Sequence, residues 1–182
     1  MEQCLKDILV VCFSRSGYTR RIAQQMATAL GADLEIIRER HSRQGLLGYW
    51  RSAHQALRET VIPLDPGTLH PKDYALVVVG TPVWAGNISS PIRAFLAQHR
   101  DDLLRVAFFC TQGGSGAPKV LDRMAALSDQ SPVATTFFSD AEIDDGRHAD
   151  RLKAFVAQLR KLSQEAARLP ELPAAAHPLL EA

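Results

Sequence analysis

A chain of 182 residues with 46% hydrophobic and 23% charged residues has the make-up of one ordinary globular domain, long enough to bury a core and too apolar for disorder. A formal net charge of +1 provides no concentrated basic face, which excludes nucleic acid and an anionic membrane surface as expected partners. No stretch approaches the roughly 20 apolar residues of a membrane span. Residues 1–7 lack the pattern of a signal peptide, and three cysteines, Cys4, Cys12 and Cys110, make no disulfide framework. A cytoplasmic protein with free thiols is therefore expected.

Short β-branched runs alternate with longer helical stretches, the rhythm of βαβ units. Residues 8–13 are continuously apolar, as a central parallel strand buried on both faces must be. From Thr19, the apolar positions Ile22, Ala23, Met26, Ala27 and Leu30 recur at helical spacing, and Gly31 stands where a C-cap glycine belongs. Residues 34–37 read as a second strand. A helix follows over 46–59, with Leu46, Leu47, Trp50, Ala53 and Leu57 inward, and Pro63 and Pro66 end it. Residues 75–79 form a third, buried strand, followed by a loop over 80–90 and a helix opening near Pro91. Residues 106–110 are a fourth strand, leading to a glycine-rich loop and a helix from about Pro118 to Leu127. Residues 133–138 supply a fifth strand, and Leu152, Phe155, Val156, Leu159 and Leu162 stripe a closing helix. Residues 1–165 thus form one domain, and 166–182 a Pro- and Ala-rich tail without periodicity.

Five strands alternating with helices through right-handed crossovers make an α/β fold, a three-layer doubly wound parallel sheet. Such sheets bind ligands beyond the carboxyl ends of their strands. That fixes the loops after strands one, three and four as the place to look. In the first, Ser14, Arg15, Ser16, Gly17, Tyr18 and Thr19 join a strand to a helix, so that backbone N–H groups and the helix dipole converge on one anion. The loop lacks the Gly-Lys-Ser/Thr ending of a triphosphate site and the three-glycine spacing of a dinucleotide fingerprint, so a terminal monophosphate fits better. The plainer alternative is that Ser16 or Thr19 caps the helix while Gly17 makes the turn.

The run from Ser14 to Thr19 resembles the phosphate loop of the flavodoxin-like FMN-binding proteins, a Ser/Thr-x-Ser/Thr-Gly-x-Thr pattern after the first strand, although Tyr18 stands where many members carry asparagine. Pro82, Val83, Trp84, Ala85, Gly86 and Asn87 look like the loop on the isoalloxazine side in flavodoxin-like oxidoreductases. Thr111, Gln112, Gly113, Gly114, Ser115 and Gly116 are similar to the third flavin loop. The resemblance spans about residues 5–162. It implies the strand order 2-1-3-4-5, FMN as cofactor, and these three loops as its binding residues, with the chemistry carried by the flavin and no catalytic side chain. In this reading Gly86 leaves room for close backbone approach to the ring, beside Asn87. Trp84 stacks on the ring or packs as a plain aromatic. Gly113, Gly114 and Gly116 bring N–H groups to the pyrimidine edge, where charge builds up on reduction, with Thr111 and Ser115 as hydroxyl contacts.

Other chemistries fit poorly. Gly113 to Ala117 approximates a nucleophile elbow, but the final glycine is replaced and no acid and histidine complete a triad. Response-regulator domains share the sheet order, yet Gly80-Thr81 stands where a phosphoacceptor aspartate should end the third strand. His41, His54, His70, His99, His148 and His177 are too scattered for a metal site and read as core or solvent-facing. Cys12 and Cys110 sit on strands separated by the third, about 9 Å apart, beyond bridging distance. With 20 acidic against 21 basic residues, the chain lacks the acidic character typical of electron-carrier flavodoxins. The resemblance therefore favours an oxidoreductase passing electrons from NAD(P)H through FMN to a quinone or another small acceptor. The alternatives are a one-electron carrier serving a redox partner protein and a flavin-free interaction module. Arg38, Arg40, Arg43, Arg51 and Arg58 read either as solvated charges or as a site for an NADPH phosphate or acidic partner, and Tyr49 and Trp50 as core, pocket wall or homodimer face.

Overall fold

The computed structural model describes residues 6–38 and 68–168. The helix expected over 46–59, Tyr49, Trp50, the arginines Arg40, Arg43, Arg51 and Arg58, and residues 169–182 of the tail lie outside the described residues. The elements run β1 (Lys6–Cys12), α1 (Tyr18–Leu30), β2 (Asp33–Ile36), β3 (Tyr74–Trp84), β4 (Asn87–Ile88), α2 (Ser90–Gln98), β5 (Val106–Gln112), α3 (Ala117–Ser128), β6 (Ala134–Ser139), α4 (Asp140–Asp144) and α5 (Ala149–Arg168). The sheet order is β2-β1-β3-β5-β6, all parallel, with the two-residue β4 paired antiparallel to the end of β3. This is the expected five-strand order, with β4 added as a flap on the third long strand.

The continuous apolar runs in β1, β3 and β5 arise because each strand feeds two cores. Ile8, Val10 and Cys12 of β1, Leu76 and Val78 of β3, and Ala107 and Phe109 of β5 face a layer made by α1, α4 and α5. Leu9, Val11, Val77, Val79, Phe108 and Cys110 alternate to the other face, covered by α2 and α3. Each buried Val, Leu, Ile or Phe among them contributes about 1.5–3 kcal/mol before the ordering cost. Alternation also separates Cys12 from Cys110, which point to opposite faces as free, buried thiols. Burial pushes both up to about 12, so they are protonated at neutral pH.

Two departures from expectation bear on the site. β3 does not stop at residue 79 but runs on to Trp84 and turns back as β4, so most of the expected loop over 80–90 is a hairpin. The short helix α4 was not foreseen. It opens with a capping box in which Ser139 Oγ accepts from Glu142 N and the Glu142 carboxylate accepts from Ser139 N. The closing helix α5 runs to Arg168. Buried His148, at its start, bonds the Glu142 carbonyl and the Gln25 side-chain amide and thereby ties α5 to α4 and α1.

Candidate functional site

The first loop leaves β1 at its carboxyl end and enters α1 through Gly17, whose left-handed φ of 101° suits a residue without Cβ. Ser14 Oγ accepts from Gly17 N at 3.1 Å and closes the loop. No side chain caps α1 and its first turn has no acidic residue. Neither Ser16 nor Thr19 serves as the cap: Ser16 is exposed, and the Thr19 hydroxyl is buried elsewhere. An uncapped N-terminus with basic Arg20 and Arg21 beside it is an electropositive point on the surface. It opens into a hollow of about 380 Å³ lined by Ser16, Gly17, Tyr18, Arg20, Arg21, Gln24 and Asp144. Arg15 is exposed at the loop's tip.

The second loop is the β3–β4 hairpin. Trp84 pairs with Asn87 across a two-residue turn in which Ala85 (φ 47°) and Gly86 (φ 70°) are both left-handed, the requirement of a type I′ turn. At its base the buried hydroxyls of Thr81 and Ser89 lie 2.9 Å apart, and Ser89 N donates to Thr81 Oγ1. Trp84 is half-buried, edge-on to the Phe13 ring at 5.4 Å between centroids, which joins the hairpin to the residue following β1. Arg123 reaches over from α3 and donates to the Gly86 carbonyl at 3.3 Å and to Asn87 Oδ1.

In the third segment, Thr111 and Gln112 extend β5 and only Gly113, Gly114 and Ser115 form an exposed turn. Gln112 Oε1 accepts from Ala117 N at 2.9 Å, and α3 opens through left-handed Gly116 (φ 111°). The three segments are joined to one another. Thr19 and Thr111 share a buried hydroxyl–hydroxyl bond of 2.8 Å between the first and third. A Cβ on Gly116 would stand 3.3 Å from Gly86 Cα and 3.7 Å from Val83, so the second and third are in van der Waals contact. Pro82 lies in register with Thr111. Open space adjoins Gly17, Gly86 and Gly114, one glycine from each segment, where an added Cβ would meet nothing within 4 Å.

Residues absent from the sequence reading complete the rim. Tyr18 donates to Asp144 Oδ2 at 2.7 Å, which gives that position a side-chain role, and the bond to Asp144 holds the phenol above its usual range. Asp140 Oδ2 lies 3.1 Å from where a Gly113 Cβ would be. Burial, and then the charge of Asp144, hold the Asp140 carboxyl above its ordinary value. The Ser139-x-x-Glu142 capping signature could have disclosed α4, but no sequence signal couples Tyr18 to Asp144 or Arg123 to Asn87. Among the described residues no His, Cys, Asp or Glu cluster could hold a metal ion, and no helix is long and apolar enough to cross a membrane. A larger groove, about 560 Å³, follows α3 and β6 and includes none of the three segments' residues.

A flavodoxin family model matches residues 7–158, which contain all but the first residue of the sheet and all three segments. The chain belongs to the flavodoxin family. Its fold is similar to that of a flavoprotein from Lactobacillus acidophilus solved in complex with FMN, with 21% identity, a TM-score of 0.64, and coverage of 77% of this chain and 97% of that one. It is similar also to the two-electron-reduced flavodoxin of Megasphaera elsdenii, with 17% identity, a TM-score of 0.52, and coverage of 85% and 98%. An NADH:FMN oxidoreductase in its apo form matches with 13% identity, a TM-score of 0.55, and coverage of 92% of each chain. No curated protein matches significantly. At identities this low these likenesses show the fold alone.

Proposed function

We propose that this flavodoxin-family chain binds FMN across the three joined segments and acts as an oxidoreductase, taking electrons from NAD(P)H and passing them to a quinone or another small acceptor. One observation carries the reading. Three segments, each with a glycine that has no neighbour on its Cβ side, meet at one sheet edge beside the uncapped start of α1, which supports a place for a flat ring with its phosphate on the helix N–H groups. Two of the similar folds point the same way, since one was solved with FMN and another is an NADH:FMN oxidoreductase.

In this reading the N–H groups of the first turn of α1, with Ser14 and Ser16, hold the phosphate. The Thr19 hydroxyl fixes the loop from behind through Thr111. The hairpin from Pro82 to Asn87 flanks the ring, with Trp84 steadied by Phe13, and Gly113, Gly114 and Ser115 face its polar edge. Bound FMN would supply the electron-accepting chemistry, and the protein's part is to hold and orient it.

Purified protein is expected to be yellow, to release FMN on denaturation and to be bleached by NAD(P)H without oxygen. A colourless protein unable to take up added FMN overturns the reading. Flavin reduced only by dithionite, one electron at a time, assigns the chain to one-electron transfer between proteins instead. Ser16→Glu should abolish FMN retention by placing a carboxylate at the phosphate position.

A further inference from the structure

The turn at the tip of the hairpin is unusual in how it is supported. Ala85 is a left-handed residue with a Cβ, which costs about 1–2 kcal/mol, and it is exposed. Nothing lies within 4 Å on the Cβ side of Gly86. Two residues of such backbone, open on one side, cannot hold one orientation by packing. Beyond the Trp84–Asn87 pairing at its base, a restraint comes from α3. Arg123 lies seven residues beyond Gly116, about two helical turns, hence on the same side of α3 as the cap that touches Gly86. Its half-buried guanidinium donates both to the Gly86 carbonyl and to Asn87 Oδ1. Both bonds leave the one nitrogen Nη1, so a single charged donor ties the two acceptors together, and a charge-assisted bond is roughly twice as strong as a neutral one.

We infer that Arg123 is a positioning residue for the ring end of the ligand: by gripping Gly86 and Asn87 from α3 it locks the hairpin turn against the third segment, so that the two form one preformed wall. The inference rests on the FMN reading. A wall fixed before binding spares the ligand the cost of ordering the turn, and that saving appears as affinity. The phosphate end, at the other side of the site, is untouched by Arg123.

The chemistry separates the two ends, because riboflavin carries the ring without the phosphate. Arg123→Met keeps the aliphatic stem and removes the donors. Apo protein titrated with FMN and with riboflavin should show both affinities weakened by a similar factor, tenfold or more. Arg123→Lys, which keeps the charge but loses the rigid planar head, should fall between. Amide exchange at Asn87 in apo Arg123→Met should accelerate while the amides of β1 and β5 keep their protection. Equal flavin affinities in wild type and Arg123→Met overturn the inference and leave the FMN reading standing. So does a loss confined to FMN, which would put Arg123 at the phosphate. A general fall in Tm with faster exchange across the sheet assigns Arg123 a merely structural part and also overturns it. Wild-type protein that binds neither flavin removes the FMN reading and this inference together.

Discussion

The hydroxyls of Thr19 and Thr111 meet at 2.8 Å, buried, although 92 residues separate them in the chain. One stands in the first turn of α1 and the other near the end of β5, so this bond joins the loop proposed for the phosphate to the segment proposed for the ring. Thr19→Val or Thr111→Val leaves the other hydroxyl buried without its partner, at a cost of about 1–3 kcal/mol. The double variant replaces both polar groups by apolar ones of similar shape and should lose less than the sum. Urea denaturation of the four proteins is expected to give a coupling of about 1–2 kcal/mol. Additive losses would show that the hydroxyls do not bond each other.

The hairpin turn yields a prediction of opposite sign. Ala85 is left-handed at φ 47°, a conformation asparagine tolerates better, and Asn-Gly is the strongest pair for a type I′ turn. Ala85→Asn should stabilise the protein by about 0.5–1 kcal/mol, a rise of a few degrees in Tm. Gly86→Ala should cost about 1 kcal/mol through backbone strain alone, because the added methyl meets nothing within 4 Å. A lower Tm for Ala85→Asn would exclude this turn geometry.

Gly80 is required for a different reason. It pairs in register with Phe109, and a Cβ there would lie 2.1 Å from the Phe109 ring. Gly80→Ala should destabilise by about 1–3 kcal/mol through overpacking, and Phe109→Leu should recover part of that loss only in the Gly80→Ala background. Thermal melts of the two single variants and the double variant test this.

Two neighbouring carboxyls on α4 should respond to pH in opposite senses. Asp140 titrates above its ordinary value because of burial and Asp144, with Tyr18 facing it from α1. A folded-state pKa that is raised contributes stability fully present below the unfolded value, about 4, and lost as pH rises through the folded value. Asp140→Asn should therefore raise Tm at pH 7 and match wild type at pH 3. Glu142 is held low, first by the Ser139 N–H, so its contribution is present above its ordinary value and lost as pH falls. Glu142→Gln should lower Tm at pH 7, by progressively less as pH falls below the ordinary carboxylate range. Parallel melts from pH 3 to pH 8 check both, and the same pH trend for the two variants would contradict the assignment.

The sequence by itself determined the layers, the strands and the places where ligand loops had to be. Continuous apolar runs such as residues 8–13, short and rich in β-branched residues, read as strands covered on both faces, and helical periodicity from Ile22 to Leu30 needs no tertiary information. Gly17 was legible as a turn residue because backbone at positive φ excludes most others, whereas the same role for Gly116 appears only in the structure. The hairpin was less legible: Ala85-Gly86 is a weak turn signal, and only the pairing of Trp84 with Asn87 converts a loop into two strands. What tertiary structure alone decided is how the segments are joined. Thr19 to Thr111, Tyr18 to Asp144 and Arg123 to Asn87 are contacts between residues 92, 126 and 36 positions apart. Hydroxyls, carboxylates and guanidinia carry no periodicity that would pair them across such distances. Their partners are set by the sheet order and by the direction in which each helix leaves its strand.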